Sequence, residues 1–176
     1  MKIDRVVTGS LQENCYILTE GDKCLIVDPG DDYYLIKEKI QDKKVLGILL
    51  THNHFDHIGA VEDIKKEYKV EVYSHSNLKE GNNNIDNFSF EVIYTPGHTS
   101  DSICFYFFEE KIMFTGDFLF KESIGRWDLE TGNYNEMKNS VVKIKKYDDN
   151  IIIYPGHGED STLGHEKNNN QYLFTN

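Results

Sequence analysis

Short apolar runs alternate with polar breaks along the chain, and the spacing inside each run separates strand from helix. "KIDRVVTG" at 2–9, "NCYILTE" at 14–20 and "KCLIVD" at 23–28 are β-rich runs, with Gly21 and Asp22 as the turn between the last two. "DPGDD" at 28–32 closes the third strand and caps a helix over about 33–40, whose apolar stripe is Leu35, Ile36 and Ile40. "VLGILL" at 45–50 has the length of a buried central strand. A helix is predicted from Ile58 to Tyr68, where Val61, Ile64 and Tyr68 recur at helical spacing. Strands follow at "VEVYSH" (70–75), "FSFEVIYT" (88–95), "SICFYFF" (102–108) and "KIMFTG" (111–116), while "EGNNNIDN" at 80–87 reads as a flexible polar loop. "YNEMKNSVVKIKKY" at 134–147 is helical, with Met137, Val141 and Ile144 on one side. "NIIIYPG" at 150–156 is a last strand, and the tail from Ser161 to Asn176 holds a short helix before it frays.

Strands and helices mix throughout, which places the chain in the α/β class. Several neighbouring strands are joined by tight turns, so the sheets are partly antiparallel. Two stacked mixed sheets with helices on their outer faces would bury every apolar stripe in this order. No repeat or linker interrupts the pattern, and residues 1–176 read as one domain.

Charge narrows the partners. Acids outnumber bases 30 to 19, for a formal net charge of −11. Nucleic-acid binders carry a basic face, so that class is set aside. No apolar run approaches the ~20 residues that span a bilayer, and "MKIDRVVTGS" lacks the apolar core of a signal peptide. The expectation is a cytoplasmic protein with no membrane partner. Cys15, Cys24 and Cys104 each sit in an apolar strand without CxxC spacing, so they read as small buried hydrophobes rather than metal thiolates. Lysine is the default base here, and Arg5 and Arg126 are the two arginines. An arginine in such a chain points to a need for its planar geometry, which gives Arg126 weight.

The chemistry lies in the histidines. The chain has seven, and "THNHFDHIGA" at 51–60 puts three of them and an aspartate into the six positions 52–57. Such a cluster makes a poor helix face and a poor strand core, whereas all four side chains can ligate a metal. His52 and His54 are two apart in an extended segment and can point the same way, while Asp56 and His57 fall where the chain turns into a helix. His98 in "TPGHTSDS", Asp117 in "FTGDFLF" and His157 in "YPGHGE" each follow a strand end beside a glycine turn, and strand ends at one sheet edge converge. One metal can take His52, His54 and His98, and a second Asp56, His57 and His157, with the two oxygens of Asp117 bridging them. Imidazole and carboxylate without thiolate suit zinc, and also iron or manganese. His75 and His165 lack a glycine-turn context and read as structural, and Asp28 in "VDPG" reads as a turn and cap residue.

"THNHFDHIGA", "TPGHTSDSI", "FTGDFLF" and "YPGHG", in that order, resemble the metallo-β-lactamase superfamily from the "VDPG" turn to the "PGHG" turn. The resemblance implies an αββα sandwich and the same two-metal ligand set. It implies a hydroxide bridging two cations ~3.5–4 Å apart that attacks a carbonyl carbon. Asp56 and Asp117 act through that hydroxide.

"GDFLFKESIGRWDL" at 116–129 is similar to a segment of glyoxalase II and its shorter bacterial relatives. By that resemblance Arg126 contacts the thiol part of the substrate; the alternative is a surface ion pair with Asp128. A thiolate leaves without a strong acid because a thiol pKa is ~8.5, so a thioester suits the site better than an amide. Glyoxalase II carries a C-terminal helical domain that helps bind glutathione. This chain ends 19 residues after His157, so no such domain is expected, and the thiol carrier stays open. Lactonase activity is the neighbouring reading. Persulfide dioxygenase, with one iron on residues matching His52, His98 and Asp117, is the main enzymatic rival. An inactive metal-binding module is the non-enzymatic one.

Overall fold

A computed structural model describes residues 1–174. Lys2–Thr8 (β1), Glu13–Glu20 (β2) and Lys23–Val27 (β3) form an antiparallel meander. Helix α1 (Tyr33–Ile40) crosses to β4 (Lys44–Leu49), which runs parallel to β3. Helices α2 (Phe55–Ile58) and α3 (Val61–Tyr68) then return the chain to β5 (Glu71–Tyr73), parallel to β4. The first sheet has the order β1-β2-β3-β4-β5.

A second antiparallel meander joins β6 (Gly81–Ile85), β7 (Phe88–Tyr94), β8 (Ile103–Phe107) and β9 (Ile112–Gly116). A small hairpin of β10 (Leu119–Phe120) and β11 (Ser123–Ile124) follows. Helix α4 (Tyr134–Ile144) crosses to β12 (Ile152–Pro155), parallel to β9, and β13 (Ser161–Thr162) leads into α5 (Leu163–Asn169). The second sheet has the order β13-β12-β9-β8-β7-β6.

Strand alternation sorts the apolar residues into three layers. On β2, Tyr16 and Leu18 face the second sheet and pack with Leu25, Phe90, Phe105 and Phe114. Cys15 and Ile17 face the other way, onto Ile36 and Ile40 of α1 and Ile64 of α3. Met113 and Ile153 of the second sheet pack outward on Met137, Val141 and Ile144 of α4. Each large side chain so buried contributes ~1.5–3 kcal/mol. The result is the expected order of layers, helix–sheet–sheet–helix. The three cysteines are free and buried in the outer layers, where burial pushes Cys24 up to about 11 and Cys104 up to about 12. No helix among the described residues is long and apolar enough to cross a membrane.

Three expectations need correction. Residues 81–85 of the expected loop 80–87 form β6, the edge strand of the second sheet, paired residue by residue with β7. Its asparagines suit an edge, where one backbone side and half the side chains meet water. The helix expected over 58–68 starts at Val61 and is preceded by the short α2, because the chain leaves helical geometry at Ala60 (φ −94°, ψ 1°), whose amide donates to the Pro29 carbonyl at 3.0 Å; Gly59 lets this turn sit against Gly30, since a Cβ there would lie 2.2 Å from the Gly30 carbonyl oxygen. Leu35 is exposed, so Ile36 and Ile40 alone carry the buried stripe of α1. The expected tail helix is α5, while the expected fraying at Thr175 and Asn176 lies outside the described residues.

Candidate metal centre

Strands β3 and β4 run parallel in the first sheet, and β7, β9 and β12 share one direction in the second. Loops from both sheets meet at one edge. Thr51 bends away from the end of β4, and His54, in an extended conformation, forms the N-terminal boundary of α2. His98 lies in the turn after β7, Asp117 directly after β9, and His157 just after β12.

Two donor clusters result. Donor atoms of His52, His54, His98 and Asp117 lie within 4.8 Å of one another, and so do those of Asp56, His57 and His157. In the first, His54 Nδ1 is 3.2 Å from His52 Nε2 and 2.9 Å from His98 Nε2. In the second, His157 Nε2 is 3.2 Å from Asp56 Oδ2. Asp117 stands between them, with Oδ2 3.5 Å from His98 Nε2 and Oδ1 3.2 Å from His57 Nε2 and 3.7 Å from His157 Nε2. The seven side chains singled out in the sequence are therefore together. His75 is elsewhere, stacked on Tyr94, and His165 binds Glu122.

Hydrogen bonds fix which nitrogens face inward. His98 Nδ1 donates to the Arg126 carbonyl at 2.7 Å, which leaves Nε2 with its lone pair. His57 Nδ1 donates to Asp28 Oδ2 at 3.0 Å. Thr51 Oγ1 donates to the same oxygen at 2.5 Å, so His52 Nδ1, 3.1 Å away, is the donor to Thr51. Asp28 also accepts from the Thr51 amide at 2.8 Å. Asp28 thus does occupy a turn, with φ of 46°, but its carboxylate has a larger task that the sequence reading missed. It sets the tautomers of His57 directly and His52 through Thr51, one in each cluster. Both its oxygens are committed to donors, so its proximity to His52 and His57 does not make a third metal site.

These donors fit cations. Donor nitrogens of His52, His54 and His98 lie within 4.8 Å of one another, and His57 Nε2 and Asp117 Oδ1, 3.2 Å apart, are both buried without an aligned hydrogen-bond partner. Buried polar atoms are ordinarily satisfied, and a cation satisfies these. Burial, with His57 adding for His52 and His98 for His54, pushes both of those imidazoles down and keeps them neutral. Burial alone would raise Asp117, but the facing His57 prevails and holds its carboxyl below the usual range. Burial would likewise lower His57, but Asp117 and Asp28 outweigh it and push that imidazole up, so without a cation it keeps a proton that a metal at Nε2 would displace. Neutral imidazole and ionised carboxylate are the forms that ligate. Gly156 makes the approach possible, since a Cβ there would lie 2.4 Å from Asp117 Oδ1 and 2.6 Å from His57 Cε1.

Glu13 was also missed. It is fully buried, accepts from Thr8 Oγ1 at 2.8 Å and leaves Oε1 unpaired 3.8 Å from His57 Nδ1. Burial pushes it up to about 9. Its only sequence signal was an acid at the head of an apolar strand. Arg126 reaches the site chiefly by its backbone carbonyl, while its guanidinium forms the two-point ion pair with Asp128, at 2.8 and 2.9 Å. In front of the clusters lies a cavity of 560 Å³ lined by His54, Asp56, His98, Asp117 and His157 together with Leu11, Phe55, Phe120, Arg126 and Leu129.

A model of the metallo-β-lactamase superfamily matches residues 8–86 and 81–157. The hydroxyacylglutathione hydrolase GloC of Haemophilus influenzae is 33% identical, over 98% of this chain and 98% of its own length. Among solved structures, the BLEG-1 B3 metallo-β-lactamase aligns with a TM-score of 0.95 at 30% identity, covering 99% of this chain and all of that one. TTHA1623 in a di-iron-bound form aligns with a TM-score of 0.88 at 30% identity, covering 96% of this chain and 99% of that one.

Proposed function

Because the chain belongs to the metallo-β-lactamase superfamily, we propose that it is a binuclear metal-dependent hydrolase of thioesters. The observation that carries this reading is Asp117, which presents one oxygen to each of two donor clusters. His52, His54 and His98 would hold one cation, Asp56, His57 and His157 the other, and Asp117 both. Zinc matches this neutral-imidazole and carboxylate set. Two such cations supply, when bound, Lewis acidity toward a carbonyl and a hydroxide nucleophile at neutral pH.

The chain's own residues favour a thioester. Asp28 and the Arg126 carbonyl hold the tautomers of His52, His57 and His98, and His54 and His157 would be engaged as ligands, so the metal-binding side chains offer no dedicated general acid. The remaining lining is Leu11, Phe55, Phe120, Gly125, Arg126 and Leu129, and none of these gives up a proton near neutrality. A thiolate leaves without one, since its conjugate acid has a pKa of ~8.5. An amide nitrogen requires protonation. The resemblance to GloC, a hydroxyacylglutathione hydrolase by name, supports an acyl-thiol substrate. The likeness to a metallo-β-lactamase supports the fold and the metals equally well, so a β-lactam belongs in the test.

The test combines metal analysis of purified protein with hydrolysis of S-lactoylglutathione and a chromogenic cephalosporin by wild type and His52→Ala. Two metals per chain, thioester turnover and its loss in the variant are expected. Faster turnover of the cephalosporin than of any thioester would refute the substrate class. One iron per chain with oxygen uptake on a persulfide would replace the hydrolase with a dioxygenase.

A further inference from the structure

The metal ligands do not account for the chemistry of the cavity rim. Leu11 from the β1–β2 turn, Phe55 from α2, Phe120 from β10 and Leu129 beyond β11 line it. Leu11 is 52% exposed, Phe55 74% and Leu129 36%. Large apolar side chains left open to water and gathered at the mouth of a cavity mark a binding surface.

Cations are scarce at the same place. Arg126 is the one cation in the lining among the described residues, and its Nε and Nη2 are already committed to Asp128. A neighbouring cavity of 410 Å³ shares His54 and is polar, but its charged groups are Asp101 and Glu130. The chain as a whole carries a formal charge of −11. A thiol carrier bearing phosphates or several carboxylates would bring anions to a rim whose one guanidinium is shared with Asp128, so, beyond the cations the ligands would hold, it finds no counter-charge there among the described residues.

We propose that the acyl group arrives on a small, uncharged thiol whose apolar body packs against Leu11, Phe55 and Leu129. The assignment rests on the thioester reading above and names its carrier class. Hydrolysis breaks the acyl C–S bond and forms a C–O bond from water. The products are a carboxylate, the free thiol and one proton. The acyl end lies toward the ligands and the thiol body toward the rim, so specificity is set by apolar contact and by the absence of a counter-charge.

Binding separates this claim from turnover. The affinities of S-butyl-N-acetylcysteamine, S-butylglutathione and S-butyl-coenzyme A for the metal-loaded protein are measured by calorimetry. These thioethers cannot be hydrolysed. The uncharged compound is expected to bind at least tenfold tighter than either anionic one. Leu11→Asp and Phe55→Asp are each expected to weaken it about tenfold, as removal of one well-covered apolar contact does. Equal or tighter binding of an anionic thioether, or indifference to both substitutions, overturns the carrier assignment. Lactoyl thioesters of the same three thiols form the second arm. Turnover of none of them sinks the thioester reading itself, whereas a higher kcat/KM on the glutathione or coenzyme A ester leaves that reading standing and removes the carrier assignment.

Discussion

Replacing Asp28 by Asn isolates the carboxylate that serves both donor clusters. Asn tolerates the left-handed backbone at this position (φ 46°), so the turn itself is preserved. Three donors converge on Asp28: the Thr51 amide on Oδ1, and the Thr51 hydroxyl and His57 Nδ1 on Oδ2. Asn offers one acceptor oxygen and sets an NH₂ against whichever donors are left. One orientation opposes the Thr51 amide; the other opposes His57 and the Thr51 hydroxyl, and through it His52. A buried donor without a partner costs about 1–3 kcal/mol, more where charge is involved, so the apoprotein should lose about 2–4 kcal/mol. At about 2–4 °C per kcal/mol for a chain of this size, Tm should fall by roughly 5–15 °C. Loss of the partner that orients a histidine ligand typically costs 10–100-fold in metal affinity. Thermal unfolding of chelator-treated protein and competition with a chromophoric chelator give the two numbers. An apoprotein Tm within about 1 °C of wild type, together with wild-type metal affinity, would refute the role assigned to Asp28.

Gly156→Ala places a methyl group against Asp117 Oδ1 and His57 Cε1; metal content by mass spectrometry should fall below two per chain with the circular dichroism spectrum retained, and full retention of both metals would contradict the bridging geometry. Glu13 is raised to about 9 in the folded protein by burial, so it is protonated when folded and ionised when unfolded between the ordinary carboxylate range and that value. Its contribution is full below the unfolded pKa and is lost as pH climbs toward 9. Urea midpoints of the apoprotein at pH 5 and pH 8.5 should therefore decline less for Glu13→Gln than for wild type, and parallel declines would argue that Glu13 is already ionised. Asn133 caps α4 by accepting from the amides of Asn135 and Glu136; Asn133→Ala should cost about 1 kcal/mol, read as a lower urea midpoint at unchanged slope, with metal content unaffected.

Much of this architecture was written in periodicity. The succession of strands and helices and the convergence of four separate turns on one edge follow from apolar spacing and glycine placement. His98 and His157 stood out because each follows a strand end beside a glycine turn, in a chain whose 52–57 cluster already called for more ligands. What escaped were features without a local signal. The pairing of Asn82–Asn84 into β6 depends on backbone hydrogen bonds that any side chain permits. The break at Ala60 depends on the Pro29 carbonyl, which takes the Ala60 amide from 31 residues away. Asp28 looked like one more turn residue, and its link to His57 and Thr51 becomes visible only when β3 and β4 lie side by side. Arg126 drew notice for its guanidinium, yet its carbonyl is what touches a metal-capable histidine. Side-chain identity advertises side-chain chemistry and is silent about the backbone.

Each donor cluster draws on both sheets. His52, His54, Asp56 and His57 descend from the end of β4, while His98, Asp117 and His157 descend from β7, β9 and β12. A cation held by either set is therefore a rivet across the open edge of the sandwich, complementing the Tyr16 and Asn14 hydrogen bonds to the Pro155 carbonyl that lace the same edge. By mass action each bound ion adds RT ln(1 + [M]/Kd) to the resistance of the fold to opening. On the two-metal reading, metal supply would then set how long a chain survives proteolysis as well as whether it could turn over substrate, and a starved population would lose its least-riveted members first.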